Sequence, residues 1–324
     1  MSHPFQDRNR VLFVGLSCYD VISICSTFPN EDEDVRVLDQ ALRRGGNASN
    51  SSTCFSCLLK WSGKETNRVE FFGTIGGDIA AQFMMNDMAN CGVINESVVC
   101  YPNSISPMAM IIINKENGSR TILHCNKDLP ELTSNDFKSK ISLSKYRWIH
   151  FEVRPNVEQV IEMVKFARIS DKNRIKLSME FEKPTHERDG IWRLDIDLFF
   201  VSKDYATYKG AKGMDNALDV LSKMIPLEKR TETLLVIPWG HEGSSCAVIE
   251  SGKIIKRSRS QAFTPRNGIK DTTGAGDSFI AATVFALDIL SLPLEESITF
   301  ACRFAGAKCG VYGNQGLEHF ENLL

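Results

Sequence analysis

Six short runs rich in β-branched and aromatic residues constrain this chain more than any other feature: VLFVGL (11–16), VEFFGTI (69–75), YRWIHFEV (146–153), IKLSMEF (175–181), DLFFVS (197–202) and TLLVIPWG (233–240). Between most of them lie stretches with helical spacing, namely Asn47 to Trp61, Ile79 to Cys91, Asn156 to Ile169 and Asp215 to Met224. Strands that alternate with helices pair mainly in parallel and need helices on both faces to cover them. The expected class is therefore α/β, a mainly parallel central sheet flanked by helices. A chain of 324 residues has room for one such domain with additions, or for two domains. No internal repeat, low-complexity tract or long linker marks a boundary, so a single domain over residues 1–324 is expected.

Two segments depart from the alternation. PMAMIIIN and SRTILHC flank the turn-like KENG (115–118) as the strands of a hairpin would, and residues 21–44, with VRVL inside them, read as extended. Together, over about 21–44 and 105–126, they predict a small second sheet standing off the core as a lid. The C-terminal part reads as two consecutive helices, Asp277 to Leu290 and Leu294 to Cys309, the second stopped by Gly310.

Lysine and arginine total 38 against 40 acidic residues, a formal charge of −2, and no basic block gathers anywhere. Nucleic-acid binding is not expected as the main role. Arg8-Asn-Arg10 ahead of VLFVGLSCYDVISIC resembles the opening of a secretory signal, but Asp20 interrupts the apolar run and a strand accounts for it better. No later apolar run approaches the roughly 20 residues that span a bilayer, so no membrane association is expected. The 10 cysteines are scattered along the chain, which fits buried free thiols in a reducing compartment, and a cytoplasmic location is expected. The sequons at Asn47, Asn50, Asn95 and Asn117 then carry no glycan.

Several chemistries lack their motif. Gly274-Ala-Gly276 lies far from the first strand and has Phe279 where a dinucleotide fingerprint needs a small residue. Gly63-Lys64 is followed by Glu65 and Gly252-Lys253 by Ile254, so there is no Walker-type phosphate loop. Cys54-Phe-Ser-Cys57 is the sole C-x-x-C and has no partner pair for zinc, and no G-x-S-x-G marks a serine nucleophile.

What remains is TGAGDSF (273–279), two glycines ahead of an apolar run. A loop opening a helix is an anion cradle, because free N–H groups and the helix dipole point at whatever sits there. Asp277 sets a negative charge at that spot. It reads either as an ordinary N-cap or as a base that takes a proton from a hydroxyl attacking a phosphoryl group held in the cradle. A second candidate is Arg43-Arg-Gly-Gly-Asn-Ala-Ser-Asn50, where Gly45 and Gly46 permit close approach and Asn47 and Asn50, three apart at a helix start, aim carboxamides the same way. Such amides suit a polyhydroxylated sugar, although a glycine turn with an Asn cap would look alike. Asp20, a carboxylate in an apolar stretch, needs a partner, which sugar hydroxyls or a turn would each provide. Gly76-Gly77-Asp78 reads as a further strand-to-helix turn.

Taken together, RGGNASN, NGSRTIL, FVSKD and DTTGAGD resemble the ribokinase-type (pfkB) carbohydrate kinases, and within them the members that phosphorylate ketohexoses. The resemblance runs from about Val11 to Gly316. It implies transfer of phosphate from ATP to D-fructose to give fructose 1-phosphate, with Mg2+ accompanying ATP, potassium (K+) as activator, and a homodimer built through interlocked lids. By the same resemblance Asp277 is the catalytic base, Gly274, Ala275 and Gly276 form the anion hole, and Asp20, Gly46, Asn47 and Asn50 hold the sugar. Asp32 reaches the sugar from the partner subunit and Arg120 contacts phosphate. Gly240, His241, Glu242 and Gly243 form the nucleotide loop, with Phe263, Pro265, Cys302 and Ala305 lining the adenine pocket. The chain departs from the family pattern where Ser202-Lys-Asp204 stands near the place of an N-x-x-E metal motif, which leaves the metal ligands unassigned. It departs again at His241, where an acid is expected, and at Arg266-Asn-Gly268, where a proline-rich loop is expected. Another sugar or nucleoside kinase of the same fold, or a nucleotide-binding scaffold without catalysis, are the alternatives.

Overall fold

The computed structural model describes residues 8–320, apart from 118, 172–173, 187–189, 227–231, 266–267 and 315. Gly118 of the KENG turn, and Arg266 and Asn267 of the divergent loop, lie outside the described residues. The strands are β1 (Arg10–Val14), β2 (Cys18–Cys25), β3 (Asp39–Gly45), β4 (Val69–Phe72), β5 (Thr74–Gly76), β6 (Val99–Tyr101), β7 (Met108–Asn114), β8 (Arg120–Cys125), β9 (Tyr146–Glu152), β10 (Lys176–Phe181), β11 (Leu198–Val201), β12 (Thr233–Pro238), β13 (Ser244–Glu250) and β14 (Lys253–Ser260). The helices are α1 (Asn47–Trp61), α2 (Ile79–Asn90), α3 (Ser134–Lys140), α4 (Val157–Ser170), α5 (Lys203–Tyr208), α6 (Met214–Ser222), α7 (Ala275–Asp288) and α8 (Leu294–Cys309).

Eight strands form the central sheet in the order β14-β13-β12-β11-β10-β9-β1-β4. Every pairing from β12 to β4 is parallel, and β13 and β14 add an antiparallel hairpin at one edge. Successive side chains on a strand point to opposite faces, and here both faces are covered. Leu12, Val14, Phe199 and Val201 pack into one apolar cluster with α3, α4, α5 and α6. Val11, Phe13, Leu198 and Phe200 pack into the other with α1, α2, α7 and α8. This is the mainly parallel α/β architecture that the alternation predicts. The edge hairpin is not foreshadowed, because β14, KIIKRSRS, is largely exposed and carries polar residues where a buried strand would be apolar. The VEFFGTI run divides at Gly73: β4 joins the central sheet, whereas β5 pairs with β6 in a separate two-stranded sheet.

A four-stranded sheet, β3-β2-β7-β8, stands apart from the central one. Its register places Leu42, Val21, Met110 and Leu123 in one row across all four strands, and Ala41, Ile22, Ile111 and Ile122 in the next. Ile22 and Ile111 are buried, whereas Leu42, Met110 and Leu123 stand about half exposed on the opposite face. One face of this sheet therefore turns toward the rest of the protein and the other presents an apolar row to solvent.

At the C-terminal end, α7 and α8 pack together in the second cluster. Helix α7 begins at Ala275 with Gly274 as its N-cap, so Asp277 lies within the first turn and is not a cap. Gly310 ends α8 in right-handed geometry, with φ −85°, rather than the left-handed turn usual for a terminating glycine. A Cβ there would meet Pro265 Cβ at 2.7 Å, so close packing is what requires glycine.

Candidate active site

Parallel strands direct their C-terminal ends to one edge of the sheet, which is where open α/β sheets bind ligands. A cavity of about 470 Å3 lies there, roofed by the four-stranded sheet. Its lining includes Asp20, Gly46, Asn47, Asn50, Arg120 and the whole run Thr272 to Asp277.

Two glycine turns build the walls. Gly274 has φ 72° and opens α7, and a Cβ there would come within 3.4 Å of an Asp277 carboxylate oxygen. Around Gly276 nothing lies within 4 Å of an added Cβ, so backbone at that point is open to a ligand. Of the three cradle residues, Ala275 donates its N–H to Thr272 O at 3.3 Å. The second turn precedes α1. Gly46 has φ 97°, and a Cβ would strike Leu16 O at 2.3 Å; one on Gly45 would strike the Asp20 carboxylate at 2.1 Å. Only glycines let β3 run against β2 and then turn directly into α1, which presents Asn47 and Asn50 from its first turn.

Those turns bring the sequence candidates together. Asn50 Nδ2 donates to Asp277 Oδ2 at 2.8 Å and Asn47 Nδ2 to Glu180 Oε2 at 3.5 Å, while Ser51 Oγ donates to the Asp277 carbonyl at 3.2 Å. Burial pushes the Asp277 carboxyl up to about 8; the Asn50 hydrogen bond opposes the shift and the nearby Glu182 and Glu152 charges reinforce it. Burial likewise raises Asp20, which accepts from Cys18 Sγ at 3.0 Å and is countered by Arg43 and Arg44. Two titrating carboxylates thus face one cavity, each in a setting that favours its protonated form more than water does.

Three further acids were not picked out from the sequence. Glu152 ends β9, where it accepts the Leu16 N–H at 2.8 Å, the Ala48 N–H at 3.2 Å and Arg154 Nη1 at 3.0 Å. Glu180 in β10 is raised well above the usual carboxylate range, first by burial and then by Asp277, Glu182 and Glu152; Glu182 is raised by burial as well. The signal was present, since each is a carboxylate within or just after an otherwise apolar strand, the same oddity that drew notice to Asp20.

Arg120, at the start of β8, reaches across to the cradle loop and donates from Nη1 to Thr272 Oγ1. The Gly240–Glu242 turn joins β12 to β13 just beyond Pro238, which lines the cavity. Gly243 has φ 103°, and a Cβ on it would strike Ser260 O at 2.1 Å and Ala262 N at 2.7 Å. Next to it Ser244 Oγ meets Cys302 Sγ at 3.2 Å, and Phe263 O lies against Gly306, 2.0 Å from where a Cβ would be. Phe263 therefore lies against α8 at Gly306 and Pro265 at Gly310, while Cys302 of the same helix meets Ser244 just after the Gly240–Glu242 turn, so the nucleotide-loop and adenine-pocket candidates are joined through α8. His241 and Glu242 are exposed. Asp32, exposed on the loop between β2 and β3 with φ 63°, does not line this chain's own cavity. Asp204 is exposed as well, and Ser202 caps α5 by accepting from Tyr205 N at 3.0 Å. Cys54 and Cys57 pack in the core from α1, and all ten cysteines are free thiols. Among the described residues no group of three or more His, Cys, Asp or Glu side chains could hold a metal ion, and no helix is long and apolar enough to cross a membrane.

Residues 8–319 match the model of the pfkB family carbohydrate kinases. The chain is 33% identical to ketohexokinase of Mus musculus over 315 residues, covering 96% of this chain and 99% of that protein. It is 24% identical to ribokinase of Lactococcus lactis subsp. lactis over 311 residues, with 95% and 93% covered. Among solved structures, ribokinase from Giardia lamblia superimposes with a TM-score of 0.77 at 18% identity, covering 95% of each chain. Arabidopsis thaliana ribokinase complexed with ribose and ATP gives 0.72 at 18% identity, covering 94% of each.

Proposed function

The chain belongs to the pfkB family of carbohydrate kinases and is a phosphotransferase, and from that premise we propose that it transfers the γ-phosphoryl group of ATP to D-fructose, giving ADP and fructose 1-phosphate. The observation that carries the reading is Asp277: a buried carboxylate pushed up to about 8, hydrogen-bonded by Asn50, on the first turn of a helix whose N-terminus faces the cavity shared by Asp20 and Asn47. The choice of sugar rests on the 33% identity to ketohexokinase over nearly the full length of both chains.

In this reading Asp20, Asn47 and Asn50 orient the sugar through its hydroxyls, with Asp32 of the partner subunit added across a dimer. Asp277 accepts the proton of the 1-hydroxyl as that oxygen bonds to the γ-phosphorus. The bond from phosphorus to the β,γ-bridging oxygen breaks, and its electron pair leaves on ADP. A base whose affinity for protons lies near the working pH is the effective kind. The cradle from Gly274 to Gly276 and Arg120 hold the transferring group, because positioning and charge stabilisation are most of what phosphoryl transfer asks of a protein. Glu180 and Glu182 are oxygen donors of the sort that a nucleotide-borne Mg2+ meets directly or through water, and that ion would neutralise phosphate charge. The Gly240–Gly243 turn, Phe263, Pro265, Cys302 and Ala305 take the nucleoside end of ATP.

The four-stranded sheet acts as the lid, and its row of Leu42, Val21, Met110 and Leu123 pairs with a second copy in a homodimer. Half-exposed apolar side chains aligned across four strands are what such an interface needs. Free thiols throughout agree with a cytoplasmic setting.

ADP release with MgATP, measured in parallel with fructose, ribose, adenosine and no acceptor, tests the proposal. Turnover fastest with fructose and lost in Asp277→Asn supports it. Turnover fastest with ribose or adenosine keeps the kinase and overturns the sugar, and ATP binding without turnover on any acceptor overturns the activity.

A further inference from the structure

Side chains two apart on a strand share a face, and Arg120, Ile122 and His124 of β8 all line the cavity. Arg120 lies at the cradle end, where it donates to Thr272 Oγ1. His124 stands four residues farther along, about 13 Å down the strand. Across the lid it sits opposite Ala109 of β7, and Ala109 sits opposite Asp20 of β2, so these three form one row of the inner face. With strands about 4.8 Å apart, Asp20 and His124 are about 10 Å from one another, and the small side chain of Ala109 leaves the space between them open. Asp20 and Ala109 line the same cavity.

The surroundings of His124 are charged but balanced, with Lys183 and Arg154 as cations and Glu131 and Glu152 as acids. Arg154 is already engaged by both acids, donating from Nη2 to Glu131 Oε1 at 2.7 Å and from Nη1 to Glu152 Oε1 at 3.0 Å. The His124 ring, by contrast, has no hydrogen-bond partner among the described residues. Partial burial first, then Lys183 and Arg154, hold it below its ordinary value, in the neutral form that carries one donor and one acceptor. A hydroxyl, which also gives and takes a hydrogen bond, matches such a ring. An anion in the same place would meet Glu131 and Glu152.

Resting on the fructose-kinase reading, we propose that His124 is a specificity-determining residue: from the lid it reads the acceptor's hydroxyl farthest from the phosphorylated carbon, which on D-fructose is the 6-hydroxyl. Asp277 and the cradle take the reacting end and Asp20 and Asn47 the middle, so the distance from Arg120 to His124 along β8 measures the length of the acceptor. Ile122, between them on the same face, covers carbon. The site therefore favours a hydroxylated far end over an apolar one, which leaves the imidazole unpaired, and over a phosphorylated one, which is brought against Glu131 and Glu152.

The test compares D-fructose, 6-deoxy-D-fructose and D-fructose 6-phosphate as acceptors for the wild type, His124→Phe and His124→Gln. His124 is exposed on an edge strand, so the variants should fold, and unchanged thermal midpoints check that. With the wild type, 6-deoxyfructose is expected to lose about 3-fold to 10-fold in kcat/KM relative to fructose, the weight of one net hydrogen bond. His124→Phe should raise the KM for fructose by the same factor, with kcat and the KM for ATP nearly unchanged, and should treat fructose and 6-deoxyfructose alike. His124→Gln, which keeps a donor and an acceptor, should recover part of the preference. Fructose 6-phosphate should be a poor acceptor for all three proteins, since the acids remain. A preference for fructose that survives in His124→Phe, an equal loss on both sugars, or a fall in kcat with no change in the sugar KM overturns the proposal, as does efficient use of fructose 6-phosphate by the wild type. Faster turnover of ribose than of fructose sinks the choice of sugar alone, because the paired comparison holds at any rate on fructose. A wild type inert toward every acceptor sinks the kinase reading instead. Calorimetric titration of fructose and 6-deoxyfructose into the wild type and His124→Phe then decides the contact, and no binding, or the same binding by both proteins, overturns it.

Discussion

Replacing Asp277 by Asn should move catalysis and stability in opposite directions. The carboxyl is pushed up to about 8 from an ordinary 3.8. A shift of one pKa unit corresponds to about 1.4 kcal/mol, so a shift of that size sets an upper figure of about 5–6 kcal/mol for holding the ionised form in the fold. Glu152, Glu180 and Glu182 share the strain, and relaxation lowers it, so a gain of about 1–3 kcal/mol on substitution is expected. The sign follows from proton counts. Between the unfolded and folded values the native chain keeps a proton that the unfolded chain has lost, so wild-type stability falls as pH rises through that window and levels off above about 8. The variant lacks the penalty, so its advantage should be negligible near pH 4 and complete by pH 9. Thermal unfolding across that range, at roughly 2–4 °C per kcal/mol, would show the gap widening. Turnover should fall about 10²- to 10⁴-fold with ATP affinity nearly kept. An Asp277→Asn protein with near-normal turnover, or with a stability gap that does not depend on pH, would refute the reasoning.

Asn50→Leu removes the 2.8 Å donor that favours the ionised carboxylate, so the acid limb of kcat/KM should move to higher pH by about one unit, and a limb that stays put denies the coupling. Arg120→Ala should raise the KM for ATP about tenfold while leaving that for the sugar alone; the reverse pattern would place Arg120 on the wrong substrate. Gly46→Ala, at φ 97° with Leu16 O 2.3 Å from the new Cβ, should lower stability by about 2–4 kcal/mol, readable in urea, and an unchanged midpoint would mean the turn relaxes freely. Met110→Asp should convert a dimer to a monomer on size-exclusion chromatography with light scattering, and a wild type that elutes as a monomer would remove the interface.

The central sheet was legible because its strands are buried on both faces and so read as unbroken apolar runs, as VLFVGL and DLFFVS do. The edge hairpin was not, because KIIKRSRS is shielded on one side only and its register comes from β13. The glycines of RGGN and TGAG announced tight turns, but the reason each must be glycine lies in contacts across the chain: Gly45 against Asp20, Gly46 against Leu16 and Gly274 against Asp277. Asp277 read equally well as a cap or a base, and its place inside the first turn, facing Asn50 rather than its own helix N-terminus, removes the cap. The acids at 152, 180 and 182 stayed hidden because a charged residue at a strand end is ordinary until the parallel register brings β9 and β10 side by side.

One electrostatic question connects these parts: why a cavity proposed to take ATP is lined by acids. Among the described residues on its wall stand six carboxylates, Asp20, Glu131, Glu152, Glu180, Glu182 and Asp277, against the cations Arg120, Arg154 and Lys183. His124 and His186 add little positive charge, since burial first, and nearby cations as well, hold both below their ordinary value. Empty, such a wall lowers its own charge by keeping protons on Asp277 and Glu180, which is the direction both are shifted. A polyphosphate arriving without a cation would drive those values higher still and leave the proposed base, Asp277, protonated. On the proposed reading a divalent cation carried by the nucleotide would stand near Glu180 and Glu182, and a nearby positive charge lowers a carboxyl's proton affinity. Such a cation would do two things at once, screening phosphate from the acids and lowering the proton affinity of Asp277, the base of the proposed reaction. It follows that the acid limb of kcat, which reports the loaded enzyme, should lie at lower pH than the limb of kcat/KM for ATP, which reports the empty one. Coincident limbs would mean that the acids on the wall do not sense the metal, and that Glu180 and Glu182 face something else.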